Sequence, residues 1–135
     1  MKNSPAVLMY GTDVRLLQTR GWLLEASGYR ALTAMDLPQL EWMAMREPVE
    51  VLILCHSLSA VAMERALAWV KERMPHMHTL VMAAGNGPLA GARPDAVLEP
   101  LAGPAKLLSM VGELAGHQMT AHRPVPAAEV LGLAG

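Results

Sequence analysis

Phenylalanine is absent from this chain, and cysteine occurs once, at position 55. A single thiol excludes an internal disulfide, which fits a reducing, cytoplasmic setting. Long apolar runs are missing too: none approaches the roughly 18–20 residues that a membrane helix needs, so no membrane contact is expected. The N-terminal MKNSPAVLMYG has one Lys and a short apolar segment, and it does not read as a signal peptide. Charge is scarce, at 17% of residues, and neither sign dominates, with 11 Lys and Arg against 12 Asp and Glu. The basic residues never cluster beyond Lys71–Glu72–Arg73. Phosphate contacts need concentrated positive charge, so direct nucleic-acid binding is disfavoured.

Aliphatic residues and methionine make up the difference. The chain of 135 residues is 53% hydrophobic, with 11 Met. That length suits one domain around one core. The apolar residues come in short, punctuated blocks. Ala6–Tyr10 (AVLMY) is continuous and stops at Gly11, as a strand buried on both faces does. Asp13 then stands before a helical pattern in which Val14, Leu17 and Leu24, with Leu16 and Leu23, recur. Asp13 suits the N-cap and Gly28 the residue past the end. Tyr29–Thr33 is a weaker strand. Asp36 caps the next helix, with Pro38 in its first turn and Leu40, Met43 and Ala44 on one face, and Pro48 ends it.

Val49–Leu54 is the strongest strand signal. Ser57 or Ser59 opens a helix to about Met74, with Met63, Leu67, Val70 and Met74 in one stripe. Thr79–Ala83 is a fourth strand. Gly85–Pro94 (GNGPLAGARP) is too broken for a confident helix. Ala96–Leu98 is a short fifth strand, followed by Glu99–Pro100 and a last helix from Gly103–Pro104 to about Ala115. Strands alternating with helices imply right-handed crossovers. The fold class is therefore α/β: a three-layer αβα sandwich on a five-stranded parallel sheet of order 2-1-3-4-5, flavodoxin-like, with its fourth helix eroded. The functional edge of such a sheet lies at the C-terminal ends of the strands. That edge gathers Gly11, Thr12 and Asp13, then Cys55 and His56, Ala83 and Ala84, and Glu99 and Pro100.

Over residues 5–116 this pattern resembles the receiver domain of two-component response regulators. The likeness rests on element order and spacing, the SGY turn at Ser27–Tyr29, the strand VEVLILC and the X-Pro after the last strand. The resemblance implies an acidic pair after strand 1, a phosphoaccepting Asp after strand 3, Thr or Ser after strand 4, and Lys-Pro after strand 5. Here the acidic pair falls on Gly11 and Thr12, with Asp13 one place later. The acceptor falls on Cys55, the hydroxyl position on Ala83 and the Lys position on Glu99. Only Pro100 keeps the family residue. Aspartyl phosphorylation needs a carboxylate nucleophile and hard oxygen ligands for Mg²⁺. This chain has replaced both, so ordinary phosphotransfer, a metal and a cofactor are not expected.

Individual residues have competing readings. Cys55 with His56 invites a nucleophile–base pair, but neighbours on an extended segment point to opposite sides. A half-buried inert thiol and a redox-sensing thiol are the other readings. Glu99 nearby would raise the thiol pKa. Asp13 is either a helix cap or a relic of the acidic pocket. His76-Met77-His78 has two imidazoles but no third ligand, and reads as a solvated loop. Gly85-Asn86-Gly87 resembles a phosphate cradle without its Lys. Any exposed tryptophan among Trp22, Trp42 and Trp69 would mark a partner surface.

The expectation is a non-enzymatic pseudo-receiver domain at residues 1–116 that signals through protein–protein contacts without phosphorylation. A thiol sensor at Cys55 and a small-molecule-binding flavodoxin-like domain are the alternatives. The resemblance implies a contact surface made by the family's fourth helix, fifth strand and fifth helix. In this chain it spans Leu89, Leu98, Leu101, Leu107 and Leu114, and a homodimer through it is expected. The partner or output domain is not named by the sequence. Residues 117–135 form an extension expected to pack on the domain or on a neighbour, covering sheet that the eroded helix leaves bare.

Overall fold

The computed structural model of the chain describes residues 5–83 and 93–116. Its elements run β1 (Ala6–Tyr10), α1 (Val14–Ala26), β2 (Arg30–Ala34), α2 (Leu37–Arg46), β3 (Val49–Leu54), α3 (Ala60–Arg73), β4 (His78–Met82), β5 (Ala96–Leu98) and α4 (Pro104–Gly116). All five strands pair in parallel in the order β2-β1-β3-β4-β5. That is the expected order of the α/β fold.

The strands form where the sequence is apolar on both alternating faces. Every residue of β1 is buried, as are Val51, Leu52, Ile53 and Leu54 of β3. Alternation then divides the core in two. Leu8, Tyr10, Leu52 and Leu54 point to one side, where Leu40 and Ala44 of α2 and Met63, Leu67 and Val70 of α3 cover them. Val7, Met9, Val51, Ile53 and Cys55 point to the other, under Leu17 and Leu24 of α1 and Leu107 and Val111 of α4. Burying a leucine such as Leu52 completely means that truncation to Ala costs about 2–5 kcal/mol.

The helices begin where the sequence places a cap. The Asp13 carboxylate accepts from the Arg15 and Leu16 amides, that of Asp36 from the Gln39 amide, and Ser59 Oγ from the Ala62 amide. Each satisfies donors that a helix start leaves without an intrahelical partner. Helix α1 stops because Gly28 takes φ 96°, a left-handed conformation in which a β-carbon would clash. Two strands sit one residue away from their expected positions. The β2 strand runs from Arg30, because its pairing starts with Ala6 opposite Arg30. The β4 strand starts at His78, paired with Val51.

Asp95 holds the start of β5 against β4. Its carboxylate accepts from the Thr79 amide at 2.8 Å, while Thr79 Oγ1 accepts from the Asp95 amide at 3.0 Å. The expected erosion of a helix over Gly85–Pro94 lies outside the described residues, except that Arg93 and Pro94 belong to no helix or strand. The Gly85-Asn86-Gly87 cradle, Leu89 and the 117–135 extension also lie outside them.

Candidate functional site

Two loops meet where β1 and β3 end. The chain leaves β1 at Gly11, whose amide donates to the Ala34 carbonyl at 3.1 Å. It leaves β3 at Cys55, whose amide donates to the Tyr10 carbonyl at 2.9 Å. These two backbone bonds bring Gly11 against Cys55. A β-carbon on Gly11 would lie 2.9 Å from Cys55 Cβ, 3.0 Å from Ser57 Oγ and 3.3 Å from Cys55 Sγ. Real side chains do not approach so closely, so only glycine fits while these neighbours stay in place.

Ser57 closes the remaining gap. Its Oγ accepts from the Thr12 amide at 2.9 Å, and its carbonyl accepts from Thr12 Oγ1 at 3.3 Å. The β1–α1 loop and the β3–α3 loop are thereby clipped together. Asp13 points its carboxylate into the cap of α1. Of the two readings of Asp13, the geometry supports the cap. No oxygen-rich cluster forms, and among the described residues no group of three or more His, Cys, Asp or Glu side chains could hold a metal ion.

Cys55 and His56 separate as neighbours on an extended segment do. Cys55 is buried at 1% exposure and His56 is exposed, so the two do not form a dyad. Burial pushes the Cys55 thiol pKa up, and Asp13 adds to that, while the neighbouring Arg20 guanidinium pulls the other way. The expected contribution of Glu99 gives way to these causes. A buried thiol with a raised pKa holds little thiolate, the reactive form. Ala83 is half-buried and its amide donates to the Leu98 carbonyl at 3.0 Å. Glu99 is exposed and Pro100 half-buried, and the Glu99 carbonyl accepts from the Ala102 amide at 3.1 Å as the chain turns toward α4.

The interface candidates divide. Leu98 and Leu107 are buried in the core between the sheet, α1 and α4. That corrects their expected place on a contact surface, because the domain already uses both. Leu114 is partly buried against the same core. Leu101 is 95% exposed. Trp22 of α1 and Trp42 of α2 also face outward, the latter with the Arg46 guanidinium 4.5 Å above its ring. Trp69 packs partly against the core. In the His76-Met77-His78 loop, Met77 is buried, His76 is exposed and His78 opens β4.

Arg20 is no part of any sequence motif. It is buried, at 8% exposure, on the stripe of α1 that also carries Leu17 and Leu24. A cation at positions of that spacing, otherwise apolar, is the signal that would have found it. Ser57 was weighed only as a helix start, which Ser59 turned out to be.

This arrangement of sheet, caps and edge is the fold of the response regulator receiver domain. Solved structures carry the comparison. The CheY-like receiver domain protein from Methanospirillum hungatei JF-1 superposes with a TM-score of 0.75 at 17% identity, over 89% of this chain and 100% of that one. The signal receiver domain of an HD domain-containing protein from Pseudomonas fluorescens Pf-5 gives 0.74 at 20% identity, over 90% and 93%. An orphan response regulator of H. pylori gives 0.69 at 14% identity, over 85% and 99%. No protein-family model and no curated protein matches the chain. Among the described residues, no helix is long and apolar enough to cross a membrane.

Proposed function

We propose that this chain is a receiver-like signalling module that works without phosphorylation and without enzymatic activity, through contact with a protein partner. One observation carries the reading: the place that would receive a phosphoryl group is packed with the chain's own atoms. Cys55 and Ser57 leave no room for a β-carbon on Gly11, and the Thr12–Ser57 hydrogen bonds clip the two loops together. The replacements at Gly11, Thr12, Cys55, Ala83 and Glu99 act in the same direction. Together they remove the Mg²⁺ ligands, the nucleophile, the hydroxyl and the positive charge that phosphoryl transfer uses.

The exposed apolar residues support action through a partner. Leu101, Trp22, Trp42 and Met45 are exposed by 95%, 70%, 55% and 62%. Aromatic residues and methionine are enriched where proteins meet. A homodimer through Leu101 and the outer face of Leu114 is the arrangement we favour, in a cytoplasmic setting that suits a lone reduced cysteine.

Treatment with acetyl phosphate or beryllofluoride in the presence of Mg²⁺, read by intact mass and two-dimensional NMR, tests the proposal. The expected result is no added phosphoryl mass and no resonance change at the loop edge. A perturbation centred on Cys55 would sink it. Sedimentation equilibrium of the intact chain and of Leu101→Ser tests the dimer. It is abandoned if the unmodified chain is monomeric at concentrations where it should pair.

A further inference from the structure

Arg20 is a buried cation that hydrogen-bonds the Cys55 thiol but has no carboxylate partner among the described residues. The ion pairs among the described residues are Arg30–Glu47 and His78–Asp95, and Arg20 takes part in neither. Its Nη1 is buried and has no hydrogen-bond partner among the described residues. Buried charges are otherwise paired, because an isolated one forfeits its hydration. Asp13, the acid that acts on neighbouring Cys55, commits its carboxylate to the α1 cap.

Beside Arg20 lies a cleft of about 210 Å³ between α1 and the start of α4. Arg20 lines it together with Leu16, Leu23, Met82, Pro104 and Leu107. Apart from Arg20 and Thr19, the residues lining the cleft are apolar or glycine. The first turn of α4 opens onto it, and its free amides and the positive end of its dipole favour an anion.

We propose that this cleft is a binding site for a small organic carboxylate, with Arg20 as its counter-ion and the α1 and α4 side chains holding an apolar tail. A planar guanidinium matches a carboxylate in two-point geometry. One guanidinium neutralises one charge, so a monoanion with an apolar body suits the site better than a phosphate dianion. The volume is below the roughly 300–1,000 Å³ of sites for drug-sized molecules, so the ligand is short. Binding joins α1, beside Cys55, to the β5–α4 turn that carries the exposed Leu101. An input at this cleft therefore needs no phosphoryl chemistry. The site lies apart from the Gly11–Cys55 contact and stands or falls independently of the partner reading.

The test titrates the full chain with hexanoate and benzoate, and in parallel with hexanol, benzyl alcohol and inorganic phosphate. Two-dimensional NMR and the melting temperature are the readouts. The carboxylates should give saturable shifts at Leu16, Arg20, Leu23 and Leu107 and raise the melting temperature. The alcohols and phosphate should not. Arg20→Met should remain folded and bind the carboxylates about 10- to 100-fold more weakly, the span of a lost charged hydrogen bond. The proposal is overturned by absence of a saturable carboxylate response, by an equal response to hexanol or phosphate, or by undiminished binding to a folded Arg20→Met.

Discussion

A β-carbon on Gly11 would stand 2.9 Å from the β-carbon of Cys55. The two loops approach each other here through a residue with no side chain. Cys55 cannot yield easily, since its own amide is hydrogen-bonded to the Tyr10 carbonyl. Gly11→Ala should therefore destabilise the domain by about 1–3 kcal/mol, the usual cost of forcing an extra carbon into packed surroundings. Urea denaturation measures this. Gly11→Asp should cost more, because it adds a charge beside a buried thiol. An alanine variant as stable as the parent would mean that the loops part freely.

The cap at Asp13 separates a structural carboxylate from a functional one. Asparagine keeps the oxygen that accepts from the Arg15 and Leu16 amides, and alanine removes it. Asp13→Asn should change stability by only a few tenths of a kcal/mol, while Asp13→Ala should cost about 1 kcal/mol. Thermal melts of the two variants decide it. Equal losses would return Asp13 to a role that needs its charge.

Alkaline pH should weaken the fold in two stages. Burial raises the Cys55 pKa above its ordinary value of 9.0, and the pKa values of Tyr10 and Tyr29 above 10.0. The unfolded chain loses these protons first, so it binds fewer of them and stability falls as pH rises. The contribution is intact below about pH 9 and fades above it, with the tyrosines joining from about pH 10. Cys55→Ala should postpone the onset in a series of melts between pH 7 and pH 11. An unchanged onset would mean that Cys55 ionises equally in both states.

Arg20→Met should make the unliganded domain more stable. The substitution keeps the apolar stem and removes the buried Nη1, which has no partner among the described residues, at the loss of the weak bond to the Cys55 thiol. The expected gain is about 1–3 kcal/mol, the penalty of an unsatisfied buried polar group. Denaturation of the parent and variant without added ligand measures it, and a loss of stability would place an unrecognised partner at Arg20.

Much of the fold was legible because its signals are local. AVLMY and VLIL are continuous apolar runs, and a parallel strand covered on both faces needs nothing else. Asp13, Asp36 and Ser59 were readable as caps because a cap bonds only two or three residues ahead. The boundaries of β2 and β4 were off by one residue, because register is set by the neighbouring strand. The site was legible mainly as a set of absences. The replacements at Gly11, Cys55 and Glu99 could be counted along the chain, but their consequence could not. Ser57 reaches Thr12 across 45 positions, and no spacing rule announces such a pair.

The linear order of apolar blocks and turn residues was enough to determine a five-stranded parallel α/β domain, and the residue identities placed Gly11, Thr12, Cys55 and Glu99 along its edge. Tertiary structure alone decided which leucines remain outside, burying Leu98 and Leu107 and leaving Leu101 in solvent. It also decided that Ser57 clips the two loops at this edge together, and that Arg20 stands buried beside Cys55 with no counter-ion among the described residues. The physical reason is the same in each case. Burial and charge pairing are properties of surroundings assembled from distant segments, whereas strand, helix and cap are written in neighbours.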